Sequence, residues 1–287
     1  MNRRMGPAGF CRLLLVFALC WGCLLPAAQA AERSWLQVHY DPAVSPQTRN
    51  HIEAAADLIA DMLTEYRLPL RQPITVLVTA DQATYEKTLL QYGISAEQAS
   101  KTAQHTVGVS LGTRPVILLK GTPALHNSRA EVFRVLPHEV FHQVQNQFGR
   151  QTTVNWMVEA APELFQIIAR EKAGLEEAAP SIGKIAFRVF AANSIPSAQQ
   201  LMSYKYSEFA ALAQQGQPVY QMSLLMLFHL TNKDFEPVLQ YYRLLNEGMK
   251  PESAFIALFR RPQSMFAAEM DQYFTKLREK RPKTKQP

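Results

Sequence analysis

The segment Val135-Leu136-Pro137-His138-Glu139-Val140-Phe141-His142 constrains this chain more than any other stretch. Read as a helix, it puts residues four apart on one face. His138 and His142 then present two imidazoles to one point, while Val135, Val140, Phe141 and Val144 bury the rest of the helix. Two imidazoles at that spacing can hold a metal ion. Glu139, beside the first of them, can reach a water next to the ion without binding the ion itself. Pro137 disfavours helix at Leu136. The helix is therefore expected to start at Pro137, or to kink there after Arg129 to Val135. His138 and His142 stay one turn apart either way.

A zinc site needs a third protein ligand and an open position. Glu159 stands seventeen residues after His142, in Asn155-Trp156-Met157-Val158-Glu159-Ala160-Ala161-Pro162-Glu163-Leu164-Phe165. Glu159 and Glu163 share a helical face, and carboxylates in so apolar a helix need a partner, because buried charge is costly. Zinc held by His138, His142 and Glu159 is a natural one.

The three cysteines, Cys11, Cys20 and Cys23, all lie in the first thirty residues. Those residues read as a leader. Arg3 and Arg4 are basic, Phe10 to Leu25 is apolar, and Ala28-Gln29-Ala30 is a small-x-small cleavage site. Residues 1–30 are thus expected to be a signal peptide, cleaved near Ala30, with no stable membrane insertion afterwards. The expected location is a bacterial periplasm or the exterior. The remaining chain has no thiol, so a metal site in it must use histidines and carboxylates. Removing Arg3, Arg4 and Arg12 takes the formal charge from +6 to +3, too weak a balance to argue for nucleic acid. Residues 278–287 read as a basic, solvated tail.

Strand patterns fall at Trp35 to Tyr40 and at the β-branched run Ile74 to Val78. A helical face runs from Pro46 to Arg67. Asp81 caps a helix over Ala83 to Tyr92, and Ser95 with Gln98 has capping-box spacing. Thr106 to Ser110 and Val116 to Leu119, joined by turn residues from Gly112 to Pro115, form a strand pair at a sheet edge. From Asn127 onward the chain is mostly helical, with apolar helices over Gln221 to Leu230, Pro237 to Leu245, Ala254 to Phe259 and Phe266 to Leu277. The fold class is α+β. Residues 31–149 form an α/β subdomain with a small mixed sheet, and residues 150–277 a helical subdomain.

The two motif segments resemble the gluzincin metallopeptidases, the thermolysin-like clan, and within it the peptidase MA-like and aminopeptidase-like branch. There an HExxH helix is followed by one reading W-L-x-E-G-x-A-E, matched here at Trp156, Glu159 and Glu163. The chain departs at Ala160, where Gly is usual, and at Pro162, which is expected to kink or restart the helix. The resemblance implies a zincin-like architecture, Glu159 as third zinc ligand and Glu163 as a carboxylate steadying a ligand histidine. Gln217-Pro218-Val219-Tyr220 resembles the family's P-x-Y segment, which opens a helix and implies Tyr220 as oxyanion stabiliser. Tyr204, Tyr206 and His229 are weaker candidates for that task. The edge strand near Val107 implies a place where substrate backbone adds as a further strand. No G-x-M-E-N signature accompanies it, which favours an endopeptidase over an aminopeptidase.

These readings imply a zinc-activated water, Glu139 as general base, and a peptide or protein as substrate. Two other readings remain open: a zinc-binding protein without turnover, and a periplasmic interaction module.

Overall fold

Ile74, Val76 and Val78 alternate with Thr75 and Leu77, and the first three are buried almost completely. That strand sits near the centre of a four-stranded sheet in a computed structural model, which describes residues 35–68, 70–112, 114–122, 125, 128–148, 155–192 and 194–279. The expected leader lies outside the described residues, as does the tail beyond Glu279.

The sheet comprises β1 (Leu36–Tyr40), β2 (Ile74–Val78), β3 (Gly108–Ser110) and β4 (Val116–Leu119), in the order β1-β2-β4-β3. β1, β2 and β4 are parallel, and β3 is antiparallel to β4 at the edge. The sheet is therefore mixed, and the strand pair occupies an edge as its turn residues imply. Gly112 turns the hairpin at φ +61, a left-handed conformation that glycine adopts at little cost.

Both faces of the sheet are covered. On one lie α1 (Pro46–Glu65) and α4 (Arg129–Gln147), packed against each other and against the side chains of Ile74, Val76, Ile117 and Leu119. On the other lie α2 (Gln82–Gln91) and α3 (Ala96–His105), where Tyr85, Leu89, Ala99 and Ala103 meet Val116 and Leu118. Asp81 caps α2 by accepting from the Thr84 N–H at 2.7 Å. Ser95 caps α3, but the Gln98 amide donates to Thr102 instead of closing a capping box.

The remaining helices are α5 (Asn155–Lys172), α6 (Ala178–Ala191), α7 (Ala198–Ser203), α8 (Tyr206–Gln214), α9 (Val219–Thr231), α10 (Glu236–Asn246), α11 (Pro251–Phe259) and α12 (Gln263–Glu279). The fold of the described residues is thus mostly helical with a small mixed sheet, of the α+β kind. The main apolar core is continuous from Leu36 of β1 to Phe274 of α12. No helix among the described residues is long and apolar enough to cross a membrane.

Of the two outcomes expected at each proline, a helix that starts anew there is overturned, and a kink is not contradicted. α4 does not start at Pro137 but runs through it from Arg129, and α5 runs through Pro162 from Asn155. A proline inside a helix removes one hydrogen bond and crowds the carbonyl four residues back. Burial on both sides of each proline offsets that loss. Val132, Phe133 and Leu136 precede Pro137 in the core and Val140, Phe141 and Val144 follow it. Trp156 to Ala161 and Leu164 to Ala169 do the same around Pro162.

Candidate metal centre

α4 and α5 pack against each other along their length, which sets the two motif segments face to face. Ser128 starts α4 by accepting from the Glu131 N–H. Ten residues later the helix delivers His138, and one turn further His142, to the facing surface of α5. The two Nε2 atoms are 3.1 Å apart. Glu159 Oε2 lies 3.7 Å from Nε2 of His138 and 3.5 Å from Nε2 of His142. His142 and Glu159 are buried, and His138 keeps 16% of its side-chain exposure, on the cleft side.

The outer nitrogens of both rings face polar side chains. His142 Nδ1 is 2.9 Å from Gln145 Oε1. The orientation of the Gln145 amide follows from its other end: Nε2 donates to the Val158 carbonyl at 3.0 Å and to the Tyr242 hydroxyl at 2.7 Å. The oxygen of Gln145 must then accept from His142 Nδ1, leaving Nε2 of that ring with a lone pair. His138 Nδ1 faces Glu163 Oε1 at 3.4 Å, and Glu163 Oε2 accepts from Gln166 at 2.8 Å. With its proton on Nδ1, on the side of that carboxylate, a neutral His138 would turn a lone pair inward in the same way.

Three potential ligand atoms thus converge on one point of the cleft, an arrangement that suits a cation. Nitrogen and oxygen donors about 2.0–2.2 Å from a tetrahedral zinc ion lie roughly 3.3–3.5 Å from one another. The spacings of 3.1, 3.5 and 3.7 Å fit that set with small adjustments. These three residues also form the one cluster of potential ligands found among the described residues. Burial, followed by the neighbouring His142, pushes the His138 pKa down to about 3, which keeps the ring neutral as a ligand must be. Burial raises the Glu163 pKa, and the Gln166 hydrogen bond partly opposes it.

Glu139 is 8% exposed and lines a cleft of about 430 Å³ together with His138, His142 and Glu159 and with Gly108, Arg134 and Glu163. Tyr220, second residue of α9, lines the same cleft, its ring edge-on to Phe209 at 5.1 Å. The fold therefore brings His138, Glu139, His142, Glu159, Glu163 and Tyr220 to one cleft. Tyr204 packs against the core and His229 pairs with Glu269 at 2.9 Å, and neither lines the cleft. The side chain of Tyr206 lies outside the described part.

β3 forms one wall of the cleft, close to α4. A Cβ on Gly108 would lie 2.5 Å from Val135 Cγ1 and 3.1 Å from Glu139 Cγ, so only glycine permits this approach. Gln143 ties the strand to the helix, its amide donating to Ser110 Oγ at 2.7 Å and to the Arg114 and Val116 carbonyls. Sequence reasoning missed Gly108, Gln143 and Gln145. A glycine inside a strand pattern marks the first. An amide one turn past the second histidine marks the last.

No protein-family model and no curated protein matches the chain.

Proposed function

We propose that this chain is an exported zinc-dependent peptidase of zincin-like architecture, which hydrolyses peptide bonds within peptide or protein substrates. The observation that carries this reading is the convergence of three lone-pair donors, His138 Nε2, His142 Nε2 and Glu159 Oε2, in a cleft shared with a carboxylate that is not one of them. Such a set suits a catalytic site, three protein ligands with a fourth position open, better than a closed structural one.

When bound, zinc supplies Lewis acidity toward a substrate carbonyl and toward water. The chain's own residues do the rest. Glu139 takes a proton from the attacking water on its carboxylate and hands it to the leaving amine. The Tyr220 hydroxyl donates a hydrogen bond to the carbonyl oxygen as charge gathers there. β3, at the sheet edge along the cleft, offers backbone groups to an extended substrate. Glu163 and Gln145 hold the two imidazoles in register. Export follows from the reading of residues 1–30 as a signal peptide.

A peptide mixture incubated with zinc-loaded protein and resolved by mass spectrometry tests the proposal. Cleavage by the wild type, lost in a Glu139→Gln variant that still binds zinc, is the expected result. An uncut mixture, or a variant as active as the wild type, would sink it.

A further inference from the structure

The cleft does not end at the metal centre. Arg134, Glu163, Tyr220 and Gln221 also line a second cavity of about 400 Å³, which opens between α4, α5, α6 and α9. Three helices send cations to it: Arg134 from α4, Arg170 from α5, and Lys184 with Arg188 one turn apart on α6. Two carboxylates, Glu163 and Glu176, are the acidic residues in its lining.

The pairing within this group is uneven. Arg134 is held by Glu131 through two hydrogen bonds, at 2.8 and 2.5 Å. Arg170 and Lys184 share Glu176. Glu163 is turned toward His138 and Gln166. Arg188 has no hydrogen-bond or ion-pair partner for its side chain among the described residues. A guanidinium on a cavity wall, among paired cations, is arranged to receive a carboxylate from outside.

We infer that this cavity is a substrate subsite for a carboxylate, received by Arg188, on a peptide lying in the metal cleft. The inference rests on the peptidase reading for the identity of the ligand. The carboxylate is that of an acidic side chain or of the peptide's free C terminus. Both carry the same charge and fork geometry. Arg188 is exposed on a helix surface, so its replacement does not open the core.

Binding tests the subsite without requiring turnover. Zinc-loaded Glu139→Gln protein, as the full chain, is titrated by fluorescence anisotropy with labelled peptides of one neutral sequence. One glutamate is walked through that sequence, with glutamine as control, and each peptide is made as free acid and as C-terminal amide. At one position glutamate should bind about tenfold tighter than glutamine, the order expected of one charge-assisted hydrogen bond. A difference confined to acid over amide assigns the C terminus instead. The ratio should fall to about one in an added Arg188→Gln, survive in Arg188→Lys, and shrink as salt is raised. Absence of binding, no preference at any position, or a preference unchanged in Arg188→Gln overturns the subsite. Wild-type protein that binds with an Arg188-dependent preference yet cuts nothing sinks the peptidase reading alone. Cleavage without preference sinks the subsite alone.

Discussion

The side-chain amide of Gln145 donates to the carbonyl of Val158 at 3.0 Å. Val158 is the residue four before Pro162, whose missing N–H leaves that carbonyl without its helical partner. One glutamine thus repairs the proline break in α5 and, with its other end, orients His142 on α4. It sits between the second histidine and the residue next to Glu159.

Gln145→Leu should therefore do two kinds of damage. Leaving buried acceptors and a ring N–H unpaired should cost about 1–3 kcal/mol of stability, read from chemical unfolding of the metal-free protein. Loss of the group that orients a ligand should weaken zinc about 10–100-fold, read by competition with a chelator. A variant that binds zinc as tightly as wild type would mean that His142 is oriented by something else.

Gly108→Ala should cost about 1–3 kcal/mol, because its Cβ collides with Val135 Cγ1 and crowds Glu139. The companion change Val135→Ala removes the nearest of those atoms. The double variant should recover part of the loss, and a double-mutant cycle on unfolding free energies measures it. Strictly additive losses would contradict the close approach of β3 to α4.

Much of this arrangement was legible in the sequence because it is local. Ile74 to Val78 is a strand because β-branched residues pack well on a pleated, buried surface. Glu159 and Glu163 stood out because carboxylates in an apolar helix demand partners. The His138–His142 pair follows from helical period alone. What could not be read depends on distant neighbours. Pro162 alone predicts a kinked or restarted helix, and that the helix continues through it is understood only once Gln145, on another helix, is seen to occupy the freed carbonyl. Arg188 and Arg134 are 54 positions apart and meet only across a cavity.

The metal-free protein should lose stability in acid through His138. An unfolded chain takes up that proton near pH 6.5, whereas the folded ring resists it down to about 3. Between those values the unfolded state holds more protons, so stability falls as pH falls. The raised pKa of Glu163 acts in the opposite direction below its own folded value. Unfolding midpoints of metal-stripped protein across pH 7 to 4, compared with His138→Phe, check this. The slope should be shallower in the variant, and an equal slope would place the acid sensitivity elsewhere.

The central claim is that His138, His142 and Glu159 hold one zinc ion. Metal content and zinc affinity of the purified protein, measured beside Glu159→Ala, test it most directly. The account predicts about one zinc per wild-type chain, with binding weakened but folding kept in the variant. A folded wild-type protein that takes up no zinc when resupplied, or a Glu159→Ala variant that binds it equally well, would contradict it.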